Sequence, residues 1–150
     1  MIFSLSNIID SLAGVLRERY PDYPVYDSPN QQGTKPPCFF IFFMPSEING
    51  QVGGRYLRDL GVDIVFVQQR NIVNGNAEIH KIADGLDEML ELFPYSDGGK
   101  NSASVRTFER QWQNEDGELH YKFHIRERVC LPRQETAMEV LEEGDAYVKN

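Results

Sequence analysis

The strongest constraint on the fold is the alternation of apolar and polar residues across residues 104–131. Two such runs flank an Asp116-Gly117 pair, and alternation on both sides of an Asp-Gly turn indicates a β-hairpin. Because successive side chains of a strand point to opposite faces, the second run has an apolar face and a basic face. The apolar face holds Leu119, Tyr121, Phe123, Ile125, Val129 and Leu131, and the basic stripe holds His120, Lys122, His124, Arg126 and Arg128.

The hairpin turn allows two registers that keep the aromatic side chains together. A two-residue loop pairs Trp112 with Tyr121, and a four-residue loop pairs Trp112 with Leu119. Phe108 then lies opposite Ile125 or Phe123, respectively. A three-residue loop would move every apolar side chain to the wrong face, so it is rejected. The pattern therefore predicts a sheet with one packed face and one face for solvent or a partner, and it does not indicate an active site.

Two amphipathic helices are predicted from apolar residues at three- and four-residue spacing. The first begins at Ser4 or Ser6 and ends near Tyr20, and the second runs from Asn76 to about Phe93. A proline follows each predicted end, as is common after helices.

Three strands are predicted between the two helices, over residues 25–27, 38–44 and 55–69. Residues 28–37 and 47–54 are rich in turn-forming residues and are predicted to be loops. The continuous apolar run at 38–44 is typical of a central strand that is covered on both faces.

The element order is helix, three strands, helix and two strands. Runs of strands separated by helices favour the α+β class, here a largely antiparallel sheet with two helices packed on one face. Residues 1–132 are expected to form a single domain, followed by an acidic tail at 133–150.

Charge and hydropathy exclude some function classes. A net charge of -8 and a pI near 4.8 argue against general nucleic-acid binding. A mean hydropathy of -0.46 without a long apolar run predicts no membrane span. We also expect no signal peptide, because the first residues lack a basic and an apolar region. A reducing cytoplasm then fits Cys38 and Cys130, which are interpreted as buried thiols rather than a disulfide.

The residue patterns of common active and metal sites are missing from the sequence. His120 and His124 are four residues apart in a strand, about 13 Å, which is too far for one zinc ion. The acidic residues of the second helix, including Asp84 and Glu88, are typical of a solvated helix face. We therefore expect no enzyme, no catalytic residue, no metal and no cofactor.

Two interpretations of the basic stripe stay open. It is a solvated sheet face balanced by acidic neighbours such as Glu109 and Asp63, or it is an electrostatic contact for an acidic protein surface or for passing DNA.

The chain resembles the small tail terminator (tail completion) proteins of long-tailed phages and of prophage-like elements. The resemblance covers about residues 1–132 and includes the length, the acidity and the order of elements. Three segments carry it: Ile8-Ile9-Asp10-Ser11-Leu12 followed by Tyr20-Pro21, the strand end Phe43-Met44-Pro45-Ser46, and the strand at residues 59–66.

This resemblance implies a structural virion protein that assembles as a ring on the tail tube, ends tube polymerisation and forms the joint to the head. Its implied partners are the tail-tube protein, the head–tail connector proteins and further copies of itself. It would act in the bacterial cytoplasm during assembly and then in the tail, with no membrane and no specific nucleic acid. For the ring contact, the sheet edge that carries the stripe is expected to meet acidic residues of the second helix. The candidate residues are Lys122, His124, Arg126, Arg128, Asp84 and Glu88.

Two alternatives differ in the partner or ligand they require. A head-closure or tail-to-head joining protein would bind connector proteins instead of the tube. A small ligand-binding α+β domain, or an unrecognised enzyme, would have a deep apolar pocket that contains carboxyl groups with shifted pKa values.

Overall fold

Two helices and a curled, mostly antiparallel sheet of six strands form an α+β fold, and this computed structural model describes residues 3–28, 33–51, 53–99 and 101–130. The acidic tail predicted at 133–150 lies outside the described residues. The sheet order is β1-β2-β3-β6-β5-β4, and only β1 and β2 pair in parallel. In chain order the elements are α1 (Leu5–Arg19), β1 (Val25–Tyr26), β2 (Cys38–Gln51), β3 (Arg55–Val67), α2 (Gly75–Leu90), β4 (Leu92–Ser96), β5 (Ser102–Glu115) and β6 (Glu118–Cys130).

The first helix agrees with its prediction at both ends. The Ser4 side chain accepts a hydrogen bond from the backbone N–H of Asn7 at 3.2 Å, which satisfies one free donor of the first turn. At the other end, the backbone N–H of Tyr20 donates to the carbonyl of Leu16 at 2.7 Å. The buried side of α1 consists of Ile8, Leu12, Ala13 and Leu16.

The second helix is shorter than predicted, and a strand that was not predicted follows it. Asn74 rather than Asn76 is the N-cap residue, and the helix ends at Leu90 rather than near Phe93. Phe93 and Tyr95 are buried on alternate positions of β4. The predicted element order α-β-β-β-α-β-β therefore omits strand β4. Pro94 is tolerated there because β4 is an edge strand.

The β5–β6 hairpin confirms the two-residue loop but only part of the predicted register. Trp112 lies opposite Tyr121, as predicted. The register then shifts between Phe108 and Gln111, where Glu109 has a φ of 54°. Phe108 is therefore opposite His124 and not Ile125. The extra residue of a β-bulge reverses which side chains face the core, so the prediction is wrong before the bulge.

Strand β2 is longer and less covered than predicted. It continues to Gln51, so the predicted loop at 47–54 is wrong for residues 47–51. It is second from the edge of the sheet, and Phe40 and Phe42 are only half-buried. Coverage of β2 on both faces is therefore not observed.

One hydrophobic cluster contains the buried residues of both helices and alternate residues of the sheet. We call the face of the sheet that carries these alternate residues the core face. On strands β3, β6 and β5, the core face includes Leu60, Val62, Ile64 and Phe66 of β3, Leu119, Tyr121, Phe123 and Ile125 of β6, and Val105 of β5.

Three strands continue past this cluster as a smaller sheet, which we call the wing. It consists of residues 47–51 of β2, 55–59 of β3 and 126–130 of β6, paired in continuous register. None of the described wing side chains is buried. The rest of the fold is called the body.

Candidate interaction surfaces

The basic stripe lies on the face of the sheet opposite the core face and is met there by carboxylates of β3. His120 Nδ1 is 3.0 Å from Asp63 Oδ2, and His124 Nδ1 is 2.8 Å from Asp59 Oδ1. We call this surface the charged face; it comprises Asp59, Asp63, Glu118, His120, Lys122, His124, Arg126 and Arg128. Carboxylates of β3 lie beside the basic groups of β6, so it is not a purely basic surface.

His120 is the most enclosed histidine of this network. Burial lowers its pKa, but the hydrogen bond and charge of Asp63, with further carboxylates nearby, outweigh burial and raise the pKa above its usual value. Glu118 and Glu115 lie 3.4 and 3.8 Å from His120 Nε2. Asp63 Oδ1 is buried and has no hydrogen-bond partner in the described part of the chain. The raised pKa indicates that His120 is charged over a wider pH range than a free histidine.

Asp59 and Glu109 bind Arg126 from two sides. The pKa of Asp59 is lowered, first by its hydrogen bond with His124, with burial opposing, and then by Arg126, whose Nε lies 3.2 Å from Asp59 Oδ2. Glu109 pairs with the same guanidinium, which also lies 5.2 Å from the ring centroid of Phe108. The bulge therefore brings the Glu109 carboxylate and the Phe108 ring to Arg126.

Two of the predicted basic residues differ from the others. Within the described residues, Lys122 and Arg128 form no ion pair, and the Arg128 side chain is exposed. The balancing carboxylates predicted from sequence, Asp63 and Glu109, are present and bind His120 and Arg126. The cationic groups without a carboxylate partner on the charged face are thus Lys122 and Arg128.

The acidic residues of α2 lie apart from the charged face. Glu88 pairs with Arg19 of α1 at 3.1 Å, and Asp84 is exposed. Asp87 accepts a hydrogen bond of 2.5 Å from the hydroxyl of Tyr121, a core-face residue. Burial and the Asp87 carboxylate both raise the pKa of that hydroxyl. Within one chain, α2 therefore binds the core side of β6 and does not meet the basic stripe.

Strand β6 is not an edge strand for most of its length, contrary to the expected ring contact. It lies between β3 and β5 from Glu118 to Ile125. Beyond Ile125 it pairs only with β3, because β5 turns to pair with β4. Only the wing portion of β6 thus offers an edge.

Two surface clefts are the candidates for a ligand pocket among the described residues, and burial raises the hydroxyl pKa of Tyr20 and Tyr23, which line the one between α1 and α2. In the described part of the chain, a cleft of about 620 Å³ lies between the β3–α2 loop and the β5–β6 turn, and one of about 530 Å³ lies between α1 and α2. Burial raises the pKa of Glu127, and Asp59 has a lowered pKa, but neither lines these clefts. No group of three or more potential metal ligands occurs among the described residues. No helix described here is long and apolar enough to cross a membrane.

Comparison with known proteins gives one informative match. A family model described as phage tail terminator protein matches residues 7–137, which is most of the 150-residue chain. No curated protein matches the chain. One solved structure shares 16% sequence identity and covers 86% of this chain and 94% of its own, with a TM-score of 0.44. That score is too low to carry an argument.

Proposed function

The chain belongs to the phage tail terminator family, and on this premise we propose that it forms a ring on the end of the tail tube, stops tube polymerisation and provides the joint to the head. The match over residues 7–137 is the observation that carries the proposal. Such a role is structural, so we also propose that the chain is not an enzyme. Its place would be the virion tail, after assembly in the bacterial cytoplasm, and its partners would be the tube and connector proteins.

Both helices packing on one face of the sheet is part of this proposal. Core-face residues contact both helices: the Tyr95 hydroxyl accepts from the backbone N–H of Ser4 at 3.1 Å, and the Tyr121 hydroxyl donates to Asp87. With the helices on that side, the charged face is free to contact another subunit or the tube.

We further propose that the charged face recognises its partner by charge, with Lys122, His124, Arg126 and Arg128 facing acidic residues such as Asp84 and Glu88 of a neighbouring copy. Lys122 and Asp84 are the best pair for a test, because neither forms an ion pair among the described residues. Changing them leaves the Asp59, Asp63 and Glu109 contacts intact.

The experiment that tests the ring is the mass in solution, measured by light scattering with and without the cognate tail-tube protein. The protomer mass is 17.3 kDa, so a ring gives a discrete multiple of this mass, either alone or on the tube. A chain that stays a monomer and ignores the tube contradicts the proposal. Binding to a connector but not to the tube would favour the head-closure alternative instead.

A charge exchange tests the recognition surface. Lys122→Glu should weaken assembly, and Lys122→Glu combined with Asp84→Lys should restore it, because the two charges are interchanged. Lys35→Glu, an exposed charge reversal outside the charged face, is the control for net charge. If Lys122→Glu and Lys35→Glu assemble equally well, the charged face is not part of the contact.

A further inference from the structure

The wing has an edge without a strand partner on each side. On one side, β1 pairs with β2 only at Phe39 and Phe40, so residues 47–51 pair only with β3. On the other side, residues 126–130 of β6 pair only with β3, because β5 leaves β6 after Ile125. Within the described residues, no further strand pairs with either edge. Each edge therefore presents backbone N–H and C=O groups that a further strand could pair with.

The opposite edge of the body is protected in a way that the wing is not. The backbone N–H of Ser96 in β4 donates to the Ser11 hydroxyl at 3.1 Å, and Pro94 has no N–H to offer. Residues 47–51 contain no proline and no lysine, and Ile48 is 43% exposed. Proline is one of the usual means of preventing edge pairing, so β4 is guarded in a way that the β2 edge is not.

We propose that the wing joins copies of this chain, the β2 edge of one copy pairing with the β6 edge of the next into one continuous sheet. The inference rests on the proposed ring and adds a strand-pairing contact to the charge contact proposed above; each contact has its own test. Both β2 and β6 run antiparallel to β3, so they run parallel to each other, and the junction between copies is a parallel strand pair. Since the two edges differ, the contact is heterologous, and a heterologous contact can close into a ring.

The charges of the two edges select this arrangement over pairing of like edges. Residues 47–51 carry one charge, that of Glu47, whereas residues 126–130 carry Arg126 and Arg128 on one face and Glu127 on the other. Glu47 lies opposite Asp59 in the β2–β3 ladder, and Asp59 lies opposite Arg126 in the β3–β6 ladder, so Glu47 lies at the level and on the face of Arg126. Unlike edges bring Glu47 to the arginines of the next copy. On this face, like edges would bring charges of one sign together.

A glutamate placed on the open edge tests the contact. Ile48 lies opposite Arg58, and Arg58 lies opposite Glu127, so position 48 is at the level and on the face of Glu127 of the next copy. Ile48→Glu should therefore reduce the mass of assemblies to that of the 17.3 kDa protomer, because like charges on paired strands repel each other. Leu92→Glu is the matched control, since Leu92 is 45% exposed and lies on the guarded edge strand β4. Equal melting temperatures of both variants would exclude loss of folding. If Ile48→Glu still forms the wild-type ring, the wing contact is wrong and the ring proposal stands; if wild-type protein never self-associates, even with the tube, both fail.

Cross-linking identifies the partner edge. Asn49 and Arg128 lie at one level on either side of Leu57, so Asn49→Cys with Arg128→Cys should link neighbouring copies through a short bismaleimide. The background carries Cys130→Ser, and Cys38 is buried. The double variant should give a ladder of protomer multiples, and each single variant should give none. A dimer from Asn49→Cys alone would show pairing between two β2 edges, and no ladder from assembled rings would exclude the β2–β6 junction; either result overturns the inference.

Discussion

The body and the wing share three strands but are stabilised very differently. In the body, β2, β3 and β6 contribute to a hydrophobic cluster that also contains the buried sides of both helices. In the wing, the same strands continue in register with no buried side chain among those described and with an edge open on each side. The wing is therefore stable only as an extension of the body, and neither of its edges has a further strand partner among the described residues. In the proposed ring, one sheet thus combines a folding core with a joining element.

The largest contrast should appear when an apolar side chain is shortened in each region. Phe123 of the body is fully buried, so Phe123→Ala should lower the free energy of unfolding by about 3–5 kcal/mol. Ile48 of the wing is exposed, and Ile48→Ala should change it by less than about 0.5 kcal/mol. Urea denaturation of the unassembled protein measures both. Similar losses for the two variants would show that the wing belongs to the core.

A smaller contrast is expected from two glycines of the same sheet. A Cβ at Gly61 in the body would lie 2.8 Å from Met44 Cε and 2.9 Å from Met44 Cβ. Gly61→Ala should therefore cost about 1–3 kcal/mol through overpacking. In the wing, a Cβ at Gly50 would lie 3.7 Å from Tyr56 Cε1, an ordinary contact. Gly50→Ala should leave the unfolding free energy unchanged or raise it by up to about 1 kcal/mol, and a loss matching that of Gly61→Ala would contradict the open character of the wing.

The smallest effect concerns the charged face of the body. Because the folded-state pKa of His120 is raised, its protonation stabilises the fold below the pKa of an unfolded histidine, about 6.5. That contribution is lost as the pH rises through the raised folded-state pKa. The free energy of unfolding, measured from pH 5 to 9, should fall by less than about 1 kcal/mol through this loss. The fall should appear in wild type and in the control His80→Gln. His120→Gln should abolish it; an unchanged pH dependence would mean that Asp63 does not stabilise the charged form.

Sequence reasoning was strongest where one pattern determines one structure. The alternation at residues 119–125 predicted the core face of β6, and the Asp116-Gly117 turn predicted the two-residue loop. The cap at Ser4 and the length of α1 were also confirmed.

Features that depend on pairing over long distances were missed. Phe93 fits the apolar side of the second helix as well as an alternating strand, and pairing with β5 decides for the strand. The bulge at Glu109 has no turn-forming residue to indicate it. The glycines near residue 50 indicated a loop, whereas pairing with β3 extends β2 to Gln51. A neighbouring strand, rather than the local sequence, determined each of these outcomes.

The position of the candidate residues was predictable only in part. Lys122, His124, Arg126 and Arg128 lie on one strand, and alternation placed them correctly on one face. Strand β6 is internal up to Ile125 and has a free edge beyond it, because its pairing with β5 ends there. The alternation of residues does not indicate where that pairing ends.

The most direct test of the account is amide hydrogen exchange of the protein alone and in its assembled ring. Residues 47–51 and 126–130 should exchange faster than residues 119–125 in the free protein and become protected on assembly, because each open edge gains a neighbouring strand. Protection that appears on α2 or at residues 118–124 of the charged face, with the wing amides unchanged, would contradict the assignment of the wing as the joining element.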